Sequence, residues 1–472
     1  VVDFGFFDDW HPAPGRIIAW TPAQQSRAAM LAAPAHLSPP SLQQEEYLRA
    51  TLRTVDAGVR GSRLCMIVFD MPGQADLPAM GRTVTRFLRR HDTFGSWFTH
   101  EPDGSVVRRV IDPDMVEVTQ TDHGCFNGGA DIRAHVQATV PNALHWECFG
   151  FGVIQREESF TVYAAIDHLH TDGVAQALTC TDLLMLYGSE LSGHAAELPA
   201  AGSHLAYCVR ERHFNDRLRA RSPKVRLWLD LLRRNGGDMP ALPVDLGADT
   251  GAAYRRGAQI TLPLFDEAAA ARFERVCTES GGRFLSGLFA ALALAELEFE
   301  DRAMYFALTP VNTRNSVDES ASIGWYTNLV PIAFDVAADD RFATLVAKAD
   351  RAADAVKDLT HVSPHRVVQL AAGEPGIRIG PGWAATMVSY VDVRKIPGVE
   401  MFDAIHGGMF ANSAAPGAVY AWVNRFPDVT TLSLLFPDTP EARTSIERYV
   451  KALLSTITAV TAETADSNGS AR

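Results

Sequence analysis

The sequence predicts an α/β (α+β) protein built from two similar halves, and three observations carry that expectation. Strand-length apolar runs alternate along the chain with stretches whose apolar residues recur at helical spacing. The 472 residues are enough for two domains of ordinary size. A stretch rich in Gly, Pro and Arg, residues 193–257, separates two segments with the same mixed strand–helix grammar. The expected division is therefore 1–192, a connector 193–257, a second sub-domain 258–464, and a small polar tail 465–472 that should be disordered.

In the first half, Arg63–Phe69 reads as a strand. Leu77–Arg90 has helical spacing and leads into Arg90-His91-Asp92. Leu144–Gln155 and Ser159–Ile166 read as a hairpin around Glu157-Glu158, and Val174–Tyr187 as a helix. The connector holds one helix-like piece, Pro223–Arg234. In the second half, Gln259–Phe265 is strand-like, and Asp266 should cap a helix over Glu267–Glu279. Phe284–Leu297 is a strongly apolar helix. Ala303–Thr309, Asn328–Val336, Thr386–Val391 and Val429–Phe436 are further strands, and Thr439 to Thr456 is the closing helix.

Composition narrows the function. Apolar residues make up 47% of the chain and charged residues 21%, as in a protein with large cores. A net charge of −13 argues against a nucleic-acid partner, which needs a basic face. The Arg-rich stretch Arg210–Arg234 reads as a solvated helix face before it reads as a basic patch for phosphates. The six cysteines form no Cys-x-x-Cys pair and several lie in apolar runs, which suits buried free thiols in a reducing cytoplasm. No His/Cys spacing suggests a metal site, and no Gly-rich fingerprint suggests a bound nicotinamide or flavin. The N-terminus lacks the basic segment and apolar core of a signal peptide, and no apolar run is long enough to span a bilayer.

The chemistry concentrates in Asp167-His168-Leu169-His170-Thr171-Asp172-Gly173, between the strand-like Ser159–Ile166 and the helix that follows. An imidazole held in such a turn suits general-base work, because its neutral form dominates near neutral pH. A carboxylate one turn later can fix the backbone, and a glycine permits close approach of another segment. No Gly-x-Ser-x-Gly elbow supplies a nucleophile, so chemistry without a covalent enzyme intermediate is favoured.

This His-x-x-x-Asp-Gly pattern resembles the condensation-domain superfamily, which includes chloramphenicol acetyltransferase-like enzymes. Five collinear segments agree: Pro39-Pro40-Ser41-Leu42-Gln43-Gln44, Arg90-His91-Asp92 with the run to Phe98, Glu147–Gly152, Thr309–Arg314, and Ile323–Pro331. The wording Ile166-Asp167-His168-Leu169-His170 is similar to the mycobacterial polyketide-associated (Pap) acyltransferases of the trehalose-acylating branch. Two departures stand out. Asp167 replaces the superfamily's first His, and no Asp-Phe-Gly-Trp-Gly motif is evident, with Phe402–Phe410 as its candidate counterpart.

The resemblance implies two acetyltransferase-like sub-domains with the active site in a channel between them. It implies an O-acyltransferase that moves a long-chain fatty or polyketide acyl group from acyl-CoA, or from a carrier protein, to a hydroxyl of trehalose or a related disaccharide. It implies His168 as base, Asp172 as a catalytic-motif residue that shapes the loop by pairing with an arginine, and Gly173 as a structural neighbour. Arg314 is the candidate partner for Asp172 and Arg90 the second, while a triad-like Asp172–His168 bond is the alternative. His170 is the competing base, and Asp167 and His170 are candidates to line the acceptor pocket; Asp167 is also placed to raise the pKa of His168. No permanently bound cofactor or metal is implied. A polyketide synthase carrier domain and a membrane lipid transporter are the further partners, and the setting is the cytoplasm or the inner face of the plasma membrane. Two other readings stand beside this one: an O-acyltransferase for a lipid diol or natural-product alcohol, and an inactive module that recruits a carrier protein.

Overall fold

The computed structural model describes residues 3–56, 62–247, 257–380, 382–396, 399–412 and 417–467. The chain divides into two compact units that do not follow chain order. The first comprises Val1–Asp216, Thr313–Thr327 and Gly398–Ala414; the second comprises Arg217–Asn312, Asn328–Pro397 and Ala415–Arg472. The boundaries expected from sequence were contiguous. The structure differs because two short segments of the second half, 313–327 and 398–414, make their contacts in the first unit.

The first unit is built on a seven-stranded sheet. Its order is Asp3–Phe6, Gly408–Ala411, Leu64–Pro72, Ser159–Asp167, Phe149–Gln155, Gly15–Pro22 and Val118–Phe126. The strand that delivers the motif, Ser159–Asp167, is the fourth of these. It is paired antiparallel on both sides, with Leu64 opposite Asp167 and Phe149 opposite Ile166. Its continuous apolar run is what a strand covered on both faces requires, and Phe160 through Asp167 are buried. Gly152 lies opposite Tyr163, and a Cβ there would sit 2.4 Å from the tyrosine ring, so glycine is what lets that ring lie across the sheet. The helix Leu77–Arg90 packs beside the motif helix Gly173–Ser192. It is started by Asp76, which accepts from the Ala79 N–H at 2.9 Å, and it buries Met80, Val84, Phe87 and Leu88.

Part of the expected connector is helical and belongs to the first unit. Residues His204–Asp216 form a helix whose start is capped by Asp92, which accepts from the His204 N–H at 3.0 Å. The Phe402–Phe410 region ends in the strand Gly408–Ala411, inserted between Asp3–Phe6 and Leu64–Pro72.

The second unit has a six-stranded sheet in the order Thr327–Asp335, Met304–Asn312, Met387–Asp392, Tyr420–Arg425, Val429–Pro437 and Gly257–Asp266. Asp266 caps the helix Glu267–Glu279 by accepting from the Ala269 N–H at 2.7 Å. The helix Phe284–Leu297 is apolar all round because nearly every residue in it is buried. The closing helix runs Pro440–Ser467, past the expected end at Thr456. It takes in 465–467 of the tail expected to be disordered; residues 468–472 lie outside the described residues.

All six cysteines are free, and Cys125 is exposed, so the expectation of buried thiols fails at that position. Among the described residues no helix is long and apolar enough to cross a membrane, and no cluster of three or more His, Cys, Asp or Glu is placed to hold a metal ion.

Candidate active site

The motif turn is assembled from backbone hydrogen bonds at the end of the central strand. The Asp167 N–H donates to the Cys148 carbonyl at 2.8 Å, and the His168 N–H donates to the Arg63 carbonyl at 2.7 Å. His168–His170 then form a single 3-10 turn. Asp167 caps it by accepting from the Leu169 N–H at 3.0 Å, and its second oxygen accepts from the Tyr47 hydroxyl at 3.1 Å. That hydroxyl in turn accepts from the Arg63 N–H at 3.1 Å. Gln44 donates from Nε2 to the Leu169 carbonyl at 2.9 Å. The turn carrying His168 is thus tied down on both sides by side chains from the helix Leu42–Asp56.

His168 is half-buried in a crowded setting, and its Nδ1 is buried without a hydrogen-bond partner. Its ring lies against Trp325, with centroids 4.0 Å apart and planes 37° from parallel. Burial, and secondarily the nearby Arg63 cation, push its pKa down to about 4, while Asp172 acts in the opposite direction. The imidazole is therefore neutral across the physiological range. Asp167 was a candidate to raise that pKa. Its carboxyl instead turns to Tyr47 and Leu169, and its own pKa is pushed up to about 7 by burial.

Asp172 is the organising carboxylate. It caps the motif helix by accepting from the Ala175 N–H at 2.8 Å. It accepts from Arg314 Nη1 at 3.1 Å and Nη2 at 3.2 Å, a two-pronged pair in which both side chains are almost wholly buried. It also accepts from the Tyr326 N–H at 2.8 Å and the Thr327 hydroxyl at 3.3 Å. None of these bonds reaches His168, so a triad-like Asp172–His168 link is absent among the described residues. Arg90, the second candidate partner, pairs with Asp182 at 2.9 Å instead.

Gly173 does not play the part expected of it. It is exposed, and a Cβ there would meet no atom within 4 Å, so among the described residues no other segment approaches closely. His170 turns inward. It is 1% exposed, its Nδ1 meets the Thr93 hydroxyl at 2.8 Å, and its ring packs against both Phe94 and Phe149. Asp167 is 0% exposed. Neither residue lines an acceptor pocket, because their side chains are spent inside the sheet and the turn. His170→Ala should destabilise the fold by about 2–4 kcal/mol through lost core packing, while leaving the rate per folded molecule within a few-fold; denaturant melts and an active-site-normalised assay check this.

The segment Thr313–Thr327 is held by several independent links. His91 accepts at Nδ1 from the Ile323 N–H at 3.3 Å and meets Asp182 through Nε2 at 2.8 Å. Gly324 lies so close to His204 that a Cβ would sit 2.3 Å from the imidazole Cδ2. His204 Nε2 meets the Trp325 carbonyl at 3.3 Å. These links fix Trp325 beside His168. Gln44 and Trp325 lie inside the segments that resemble the family, but nothing in the sequence assigns either a role, and nothing singles out Tyr47 or Arg63. The Arg-rich stretch Arg210–Arg234 is divided between the two units, and much of it is engaged in ion pairs such as Arg210–Glu319 at 2.5 Å and Arg233–Glu374 at 3.0 Å.

Buried titratable groups make stability depend on pH. His91, His168, His170 and His204 all have lowered pKa values, chiefly from burial, with His170 near 3. The unfolded chain binds protons to these histidines that the folded chain refuses, so they withdraw stability as pH falls below about 6.5. Asp167, near 7, and Glu211 and Glu296, each near 8, are raised by burial and hold protons that the unfolded chain loses above about pH 4, so they withdraw stability from there towards 8; below about pH 6 the four histidines outweigh these three acids. Denaturant melts should therefore show a maximum at about pH 6. A midpoint still climbing at pH 8 would contradict this set of shifts.

The fold and the histidine-bearing turn define a class: the chain belongs to the condensation-domain family, whose model matches residues 64–369. Two mycobacterial enzymes are similar along nearly the whole chain. The 2'-acyl-2-O-sulfo-trehalose (hydroxy)phthioceranyltransferase PapA1 of Mycobacterium tuberculosis is 35% identical over 460 residues, 96% of this chain and 88% of that protein. The trehalose-2-sulfate acyltransferase PapA2 of the same species is 35% identical over 450 residues, 95% of each chain. A solved structure of PapA2 acyl transferase matches with a TM-score of 0.89 at 34% identity, covering 97% of this chain and 99% of that one. The condensation domain of the Monacolin K polyketide synthase MokA matches with a TM-score of 0.70 at 14% identity, covering 90% of this chain and 97% of that one, a likeness of fold alone.

Proposed function

We propose that this protein is an O-acyltransferase that moves a long-chain acyl group from a thioester donor to a hydroxyl of trehalose or a closely related disaccharide, in the assembly of a glycolipid. The observation that carries this reading is the neutral, half-buried His168 presented by a turn that Asp167, Gln44 and the Asp172–Arg314 pair hold in place. The similarity to trehalose acyltransferases over nearly the full chain supports the acceptor class.

In the proposed reaction the acceptor hydroxyl gives its proton to His168 as its oxygen attacks the thioester carbonyl. Nδ1 is the sheltered nitrogen, so Nε2 is assigned the lone pair. The new C–O bond forms, the C–S bond breaks, and the departing thiolate recovers the proton from the imidazolium. General-base help of this kind is worth about 10²–10⁴ in rate. Asp172 and Arg314 act chiefly on geometry: Asp172 favours the protonated imidazole from a distance but makes no bond to it.

The donor is acyl-CoA or an acyl carrier protein, and the reaction is placed in the cytoplasm or at the inner face of the plasma membrane, where such donors are made. No bound cofactor takes part. The test is to mix the protein with palmitoyl-CoA and follow intact protein mass and CoA release, with and without trehalose. Direct transfer predicts CoA release that depends on trehalose and no acyl adduct on the protein. A stoichiometric adduct formed before acceptor is added would overturn direct transfer.

A further inference from the structure

The ring beside the base is the most specific contact in the site that the proposed function leaves unexplained. Trp325 is 5% exposed, and it is fixed by the His204 contact to its own carbonyl, by the His91 bond to Ile323 and by the Asp172 bond to Tyr326. Its own ring packs edge-on against Tyr47, with centroids 5.5 Å apart. The indole is thus immobilised from its own backbone outward, and it presents a face to His168 at a centroid distance of 4.0 Å.

A tilted pair at this distance is weakly attractive while the imidazole is neutral. Once the imidazole takes a proton, it becomes a cation over the most electron-rich aromatic face that a protein offers. The attraction therefore grows as the transition state forms, which is the condition for a contact to raise the rate and not merely tighten binding. The charged and titratable groups around His168 oppose the cation or are engaged with other partners. Arg63 opposes the cation, Tyr47, Asp167 and His170 are occupied in the turn, and Asp172 shares its charge with Arg314.

We infer that Trp325 is a positioning residue that acts through His168, holding its ring and stabilising the imidazolium that forms when the acceptor loses its proton. This rests on the reading of His168 as the base.

The test replaces Trp325 site-specifically with 5-fluoro-, difluoro- and tetrafluorotryptophan, which keep the indole shape while progressively weakening its face. 5-Methyltryptophan is the control, larger but with its face intact. Expected is a stepwise fall in kcat of about 10-fold across the series, at nearly constant KM for the acceptor, with 5-methyltryptophan close to wild type. The acid limb of kcat/KM should move to lower pH in the same order. A kcat unchanged by fluorination, or one that falls equally with 5-methyltryptophan, overturns the inference, since a purely steric role would respond to size alone. His168→Ala is assayed alongside. If that variant stays active, the reading of the base has failed; if it is inactive while the fluorinated series is flat, only the role of Trp325 has failed.

Discussion

Replacing His168 with Ala is expected to lower the transfer rate by about 10²–10⁴ while leaving the protein folded. The size follows from removing the group that takes the acceptor's proton, with binding of both substrates left in place. The fold should survive because the side chain is half-buried and its Nδ1 makes no hydrogen bond. The turn is held by the backbone bond from His168 N–H to Arg63 and by the Asp167 cap, both of which the variant keeps. Stability should change by no more than about 1–2 kcal/mol. Retention of a tenth of the wild-type rate by a folded His168→Ala protein would remove His168 as the base.

Asp172→Ala should produce the largest loss of stability. It leaves the Arg314 guanidinium buried without its carboxylate, and stranding one member of a buried pair costs about 3–5 kcal/mol. It also removes the cap at Ala175 and the acceptor for Tyr326 N–H, so the motif helix and the Thr313–Thr327 segment both lose an anchor. Activity should fall with it, because Trp325 and the His168 turn are positioned by those two elements. Asp172→Asn keeps an acceptor oxygen but loses the two-pronged charge pair, and should lie between wild type and Ala in denaturant midpoint. Arg314→Lys should resemble Asp172→Asn, since an ammonium cannot reproduce the planar fork. A denaturant midpoint for Asp172→Ala within error of wild type would show that this pair does not carry the loop.

The elements that sequence pattern located well were those with strong periodicity or an explicit cap. Leu77–Arg90 and Phe284–Leu297 have the bounds that their apolar spacing gave, and Asp266 caps its helix as its chemistry required. Short or weakly patterned strands such as Asp3–Phe6 and Gly408–Ala411 were not legible, because a four-residue strand is specified by its neighbours in the sheet and not by its own sequence. The same reason hid the composition of the first unit. Local pattern cannot reveal that Thr313–Thr327 pairs with a motif some 150 residues earlier.

At the site, the spacing of His168 and Asp172 drew attention to both, but the pattern said nothing of direction. Asp167 and His170 share the turn with His168 and still point into the interior, because a 3-10 turn rotates successive side chains away from one another. Trp325 was visible as a residue in a matched segment. Its contact with His168 emerges only once Gly324, His204 and Asp172 have set the path of the backbone.

The most direct test of acyl transfer to a sugar hydroxyl through His168 is a competition in one tube. Palmitoyl-CoA is mixed with the protein and equal concentrations of trehalose, a long-chain alcohol and an amino acid, and the acylated products are identified by mass spectrometry. Acyl trehalose is expected as the dominant product, formed by wild type and almost absent with His168→Ala. A dominant alkyl ester or amide, or acyl trehalose formed equally by the variant, would contradict it.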